Sequence, residues 1–97
     1  MWAMCMSRSI SRILVTSSSA SGNGDVGFVF ADADENSFFC NTANDNVFGF
    51  RADGTSAANL LGMNSACNNE VLDALDAATG GGNTWDNNSF CTEAGTG

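Results

Sequence analysis

In the stretch ADADENSFF, residues 31–39, Asp32, Asp34 and Asn36 alternate as the first oxygen ligands of a calcium loop do. A complete loop of that kind needs glycine at its sixth position and a bidentate glutamate at its twelfth. This chain has Ser37 and Ala43 there. What survives is a looser calcium site built from Asp32, Asp34 and Asn36, with Asp45 or Asp53 reaching in from nearby turns. The simpler expectation is an Asx-rich turn between strands, since Asn and Asp side chains bond their own backbone in tight turns.

The second set of reactive groups is Cys5, Cys40, Cys67 and Cys91. Their spacing fits neither a zinc nor an iron–sulfur motif. One cysteine per expected element is how disulfides are distributed in a small domain. A bond within the set Cys40, Cys67 and Cys91 is expected, with buried free thiols as the alternative. The chain has no His, Lys, Tyr or Pro. It therefore lacks an imidazole base to activate a cysteine, and an amine for a Schiff base. Two carboxylates could still support hydrolysis, but the expectation is a non-catalytic protein with no cofactor unless calcium binds, and no small-molecule substrate is evident. Asn87-Asn88-Ser89 is a glycosylation sequon, which carries little weight in a chain this rich in Asn and Ser.

Charge narrows the partners. The net charge is −8, and nucleic-acid binding needs a cationic surface that displaces phosphate counterions, so that class is set aside. The charge is also uneven. Residues 1–24 hold Arg8 and Arg12 and no acid; residues 25–97 hold all eleven acids and Arg51. Two regions follow: a basic amphipathic segment with a Ser/Gly linker over 1–24, and an acidic globular domain over 25–97. On a helix at 100° per residue, Trp2, Met6, Ile10, Ile13 and Leu14 share one face, opposite Arg8 and Arg12. A strand over 9–16 is the alternative. The helix would suit a retained organellar targeting segment, a membrane surface or a partner. Trp2, Met6, Arg8, Ile10, Arg12 and Leu14 are the candidate docking residues.

These groups need a scaffold. Ninety-seven residues with 43% apolar content make one small core. The alternation in DVGFVFAD, SFFCNTA and VFGFRAD predicts three strands in an antiparallel meander, turning at Asn44-Asp45-Asn46. From Thr55 to Gly80, apolar residues at three- and four-residue intervals predict helices over about 56–64 and 69–79. Ser56, and Asn68 or Asn69, would be their N-caps, with a Gly C-cap at Gly80. Trp85 and Phe90 mark one last strand. No internal repeat is evident. The expected fold is α+β: a small antiparallel sheet of three to four strands, one or two helices on one face, and the N-terminal amphipathic segment.

The function this supports is a small accessory or structural subunit docking through its N-terminus on a larger assembly or a membrane surface, in an oxidising compartment. An organelle lumen fits the basic N-terminus better than secretion. A secreted, disulfide-stabilised toxin or effector is the competing class, and a weak calcium-binding module the third. Calcium binding is expected to be no tighter than about millimolar, the weak extracellular range. Calorimetric titration checks this; micromolar binding abolished by Asp32→Asn with Asp34→Asn would overturn it.

Overall fold

The computed structural model describes residues 13–79 and 82–96. Among them the chain forms ten short strands and no helix: β1 Ile13–Thr16, β2 Val26–Ala31, β3 Asn36–Phe39, β4 Phe48–Asp53, β5 Leu60–Gly62, β6 Ser65–Ala66, β7 Leu72–Asp76, β8 Thr84–Asp86, β9 Ser89–Phe90 and β10 Glu93–Ala94. Every strand pair is parallel. The sheets run β1-β3-β5-β8, β10-β7-β4-β2 and β6-β9, and single bridges Ser19–Thr42 and Thr42–Ser65 extend the third. In most pairs a residue's partner lies 22 to 24 positions further along, as in Val26 opposite Phe48, Ile13 opposite Asn36 and Phe48 opposite Leu72. The chain is a β-solenoid whose coils start near residues 13, 36, 59 and 83.

The repeat becomes visible once the coils are stacked. ILVTSSSASGN (13–23), NSFFCNTANDN (36–46), NLLGMNSACNN (59–69) and NTWDNNSFCTE (83–93) align without a gap. In the second and third coils asparagine recurs every fifth residue, and these columns continue in part into the first and fourth. The residue before nearly every such corner position is left-handed, at φ between 52° and 78°: Glu35, Ala58 and Gly82 before the first column, Ser17, Cys40, Met63 and Asn87 before the second, Gly22, Asp45 and Asn68 before the third. Most are not glycine, so each of those corners carries a backbone penalty of roughly 1–2 kcal/mol.

What offsets that penalty is the asparagine that follows. Asn41 shows the pattern. Its Oδ1 accepts the amide of Ser18 in the coil before (2.9 Å), and its Nδ2 donates back to the Val15 carbonyl (3.1 Å). Its own amide and Nδ2 both donate to Oδ1 of Asn64 in the coil after (2.9 and 3.1 Å). Asn64 repeats this toward Phe38 and Asn88, and Asn36, Asn59 and Asn83 form a second such ladder. Asn23, Asn46 and Asn69 form the third through backbone amides to Oδ1. Asn41, Asn59 and Asn64 are 1% exposed. The ladders satisfy both the turn backbone and the amides themselves.

Between the ladders lies a narrow apolar interior. Phe30, Ala43, Phe50, Ala52, Leu61, Ala66 and Ala74 are buried, with Phe28, Phe38, Trp85 and Phe90 packed on them. Phe28 stacks on Phe50 at 5.0 Å, and Phe30 meets Phe38 at 4.1 Å. Gly27 and Gly49 stand one coil apart beside the third ladder. A methyl on Gly27 would meet Asn46 Nδ2 at 2.9 Å, and one on Gly49 would meet Asn69 Nδ2 at 2.9 Å and the Asp73 carbonyl. The ladder amides occupy the space that a side chain there would need.

The expected α+β fold is therefore corrected. Residues 56–64 and 69–79 are not helices; they carry β5 and β7, with β6 between them. Inward positions in a coil, such as Asn59, Leu61, Asn64, Ala66 and Asn69, recur at alternating two- and three-residue intervals, because each left-handed corner inserts one residue into the strand alternation. Read with the asparagines assigned to the surface, that spacing imitates a helix. Ser56 is no helix cap: its hydroxyl is buried and donates to the Phe30 and Asp53 carbonyls. The antiparallel meander is also corrected. β2, β3 and β4 do form where alternation placed strands, but β2 pairs with β4 across a coil, and β3 lies in another sheet. Asn44-Asp45-Asn46 is a corner, not a hairpin turn. TSSSASGNG is not a loose linker: Ala20 and Gly22 donate to the Thr42 and Asn44 carbonyls (2.9 and 3.1 Å) in the wall of the first coil.

Replacing Asn64 with Ala is expected to destabilise the fold by about 3 kcal/mol, because it strands the Asn41 amides and the Phe38 carbonyl on the coil before and takes a donor from Asn88 on the coil after, each unmet group costing roughly 1–3 kcal/mol. Urea unfolding measures it. A loss within experimental error would show that the ladder does not hold the coils.

Candidate functional site

Only one group of potential ligands converges among the described residues: Cys67, Asp73 and Cys91, whose ligand atoms lie within 4.8 Å of one another. Each sits where the coil geometry puts it. Cys67 and Cys91 hold the same position in the third and fourth coils, just past the β6–β9 pair. Their Cα atoms are 5.1 Å apart, and they form a disulfide. That separation is close to the spacing of adjacent strands, so stacking brings the two thiols into bonding range. Asp73 lies in β7 opposite Gly49, in the register of the glycines that make room for ladder amides.

The third ladder explains why a carboxylate is there. Asn69 reaches the end of its column, since the fourth coil has Thr92 and Glu93 where an asparagine would continue it. Asp73 supplies the missing oxygen. Its Oδ1 accepts the Asn69 amide at 3.0 Å and Asn69 Nδ2 at 2.7 Å, the same two donors that a next-coil asparagine would take. Its Oδ2 accepts the Thr92 amide at 2.8 Å and the Thr92 hydroxyl at 3.0 Å. Asp73 is 1% exposed. Burial pushes its pKa up, but the four bonds from Asn69 and Thr92 outweigh burial and hold it below the ordinary aspartate value. With both sulfurs in the bridge and both carboxylate oxygens doubly bonded, the group clamps the fourth coil to the third. The disulfide is compatible with an oxidising compartment.

The sequence-predicted residues fall as follows. The cysteine expectation is met by Cys67–Cys91; Cys40 is itself disulfide-bonded, outside that pair. Asp32, Asp34 and Asn36 each bond to a residue 23 positions further along. Asp32 accepts the Thr55 amide (3.0 Å) and hydroxyl (3.2 Å), Asp34 accepts the Ala57 amide (3.0 Å), and Asn36 is buried, donating to Asn59. All three tie one coil to the next. Asp53 is paired with Arg51 at 2.9 Å, and Asp45 is an exposed corner residue. Of the docking residues, Trp2, Met6, Arg8, Ile10 and Arg12 lie outside the described residues. Leu14 sits in β1, 42% exposed, so the predicted helix does not reach it.

Sequence reasoning did not single out Asp73 or the outer wall of the β10-β7-β4-β2 sheet. On that wall Val29, Arg51 and Leu75 form one register column, and Phe48 and Leu72 part of another. The Arg51 guanidinium lies 5.0 Å from the centre of the Phe48 ring. Val29 is 53% exposed, and Val71, just before β7, is 55% exposed. No protein-family model, curated protein or solved structure matches the chain.

Because the Asp73 pKa is lowered by folding, its contribution to stability is present above the unfolded value, near pH 4, and is lost as pH falls through the folded value. Asp73→Asn is expected to cost about 2–3 kcal/mol near neutrality, since an amide nitrogen would face buried donors, and to flatten the acid limb of the stability profile. Urea midpoints from pH 2 to pH 7 check both; an acid limb identical in wild type and variant would refute the assignment.

Proposed function

We propose that the chain is a non-catalytic structural and interaction module: a disulfide-clamped solenoid that works in an oxidising compartment and contacts a larger assembly through its walls. The observation that carries the reading is the outer face of the β10-β7-β4-β2 sheet. In a chain of net charge −8, this wall presents half-exposed valines, an aromatic ring and Arg51, the sole cation among the described residues. Apolar and aromatic side chains with arginine are what contact surfaces are enriched in, and apolar groups held out to water on a rigid sheet suit a partner more than they suit the folded monomer. Exposed Leu14 in β1 extends the apolar exterior to another wall, next to the segment proposed from sequence to dock. The acids around these walls favour a partner whose apolar patch has a basic rim.

The buried chemistry is consistent with this role. No buried side-chain nitrogen or oxygen among the described residues lacks a hydrogen-bond partner, and the buried Asp73 carboxylate is fully engaged in closing a ladder.

A photoreactive side chain at position 51, the register partner of Val29 on this wall, is expected to crosslink one discrete protein in the native source. Val29→Asp with Val71→Asp should remove that adduct while changing stability by no more than about 1 kcal/mol, as exposed sites do. Adducts that persist in the double variant, or none at all from positions 29, 51 and 71, would overturn the reading.

A further inference from the structure

The twelve asparagines are not equally protected, and one is arranged to react. Asn23-Gly24 is the only Asn-Gly pair in the chain. Asn23 belongs to the third ladder, but it is the exposed end of it. Its amide donates to Asn46 Oδ1 at 3.1 Å, which holds its main chain in place. Its side-chain Oδ1 accepts the Asp25 amide at 3.0 Å, while its Nδ2 has no hydrogen bond to another described residue. Gly24 sits at φ +71° with nothing within 4 Å of where a Cβ would be.

Set beside this, the other asparagines followed by a small residue are locked. Asn36 and Asn64, each followed by serine, are 6% and 1% exposed. Asn36 directs Nδ2 to Asn59 (3.0 Å), and Asn64 directs it to the Phe38 carbonyl and to Asn88 (3.0 Å each). Asn88 donates its own to the Leu61 carbonyl at 2.9 Å. In each the nitrogen that would have to leave is tied to a neighbouring coil.

We infer that Asn23 is a site of spontaneous modification, deamidating in the folded protein while the other ladder asparagines are spared. The step needs only water. The Gly24 backbone nitrogen, losing its proton to solvent base, attacks the Asn23 side-chain carbonyl carbon, whose oxygen is polarised by the Asp25 amide. The carbon–Nδ2 bond breaks and ammonia leaves with a proton from solvent, closing a five-membered cyclic imide. Water then adds to one of its two carbonyls: at the side-chain carbon it yields an ordinary aspartyl residue, at the main-chain carbon an isoaspartyl link. The net change is gain of water and loss of ammonia, adding one negative charge. The isoaspartyl form lengthens the main chain by one carbon between Asn46, to which Asn23 donates, and Val47, whose amide donates to the Asp25 carbonyl at 2.8 Å. It therefore loosens the first coil from the second at that corner, independently of the proposed docking role.

The test is incubation of the intact, oxidised protein at mildly alkaline pH, followed by reduction, trypsin cleavage at arginine and fragmentation mass spectrometry, with a parallel sample in denaturant. The expected result in the folded sample is an acidic shift of one charge, exchange of amide nitrogen for oxygen at position 23 only, and isoaspartate at that position. In denaturant, Asn36 and Asn64 should join it. Gly24→Ala should suppress conversion at Asn23 in both samples, so the denatured pair remains informative if the variant folds poorly. Conversion of Asn23 in denaturant but not in the folded protein would overturn the inference, as would conversion of Asn36 or Asn64 at the same rate as Asn23 in the folded state.

Discussion

A buried amide that must bond in four directions is the constraint on which this structure depends. An asparagine inside a solenoid has two lone pairs and two protons to satisfy, and leaving any unmet costs on the order of 1–3 kcal/mol. Stacking identical corners meets all of them at once: Oδ1 takes two donors from the coil before, and Nδ2 serves one carbonyl before and one oxygen after. This works only if the coils are parallel and in register, so the ladders select the parallel topology over the antiparallel pairing that the short strands would otherwise allow. They also hold the left-handed corners, and the corners set the five-residue sides. Glycine at 27 and 49 follows from the same cause, because the amides fill the space a side chain would take.

A ladder also has to end. The third column does so at Asn69, where Asp73 presents carboxylate oxygens in place of a further asparagine. Carboxylate is acceptor-only, so it can close a column and at the same time receive Thr92 from the fourth coil. The neighbouring Cys67–Cys91 bridge joins the same two coils covalently. Its closed loop of 24 residues corresponds to a stabilisation of roughly 3 kcal/mol in the chain-entropy account. Trp85 and Phe90 complete the closure on the apolar side, with the Trp85 indole donating to Asp76 at 2.9 Å. Polar, covalent and aromatic contacts thus converge on one junction, while the opposite end of the third ladder, at Asn23, is held by fewer bonds.

With the interior given over to holding coils together, the outward positions are where partner contact can vary at little cost. The half-exposed valines and the Arg51–Phe48 pair lie there, on strands fixed from behind by Phe28, Phe50 and Ala74. A rigid support of this kind lowers the ordering cost of binding, which is why the wall, and not a loop, is the surface proposed for contact.

The sequence by itself determined the local properties. Alternation placed strands in DVGFVFAD, SFFCNTA and VFGFRAD, where β2, β3 and β4 lie; one cysteine per element anticipated a bridge within Cys40, Cys67 and Cys91. It also contained the repeat, as asparagine at every fifth residue and again 23 or 24 later, which hydrophobic periodicity passes over because it assigns asparagine to the surface. Tertiary structure alone decided the direction of pairing, the conversion of an apparent helical spacing at 56–79 into strands, the role of Asp32 and Asp34 as coil-to-coil ties, and the burial of Asp73. The reason is physical. A parallel coil is held by bonds to residues some 23 positions away, and a side chain whose partners lie in another coil shows nothing in its own neighbourhood of the chain to tell an interior amide from a turn.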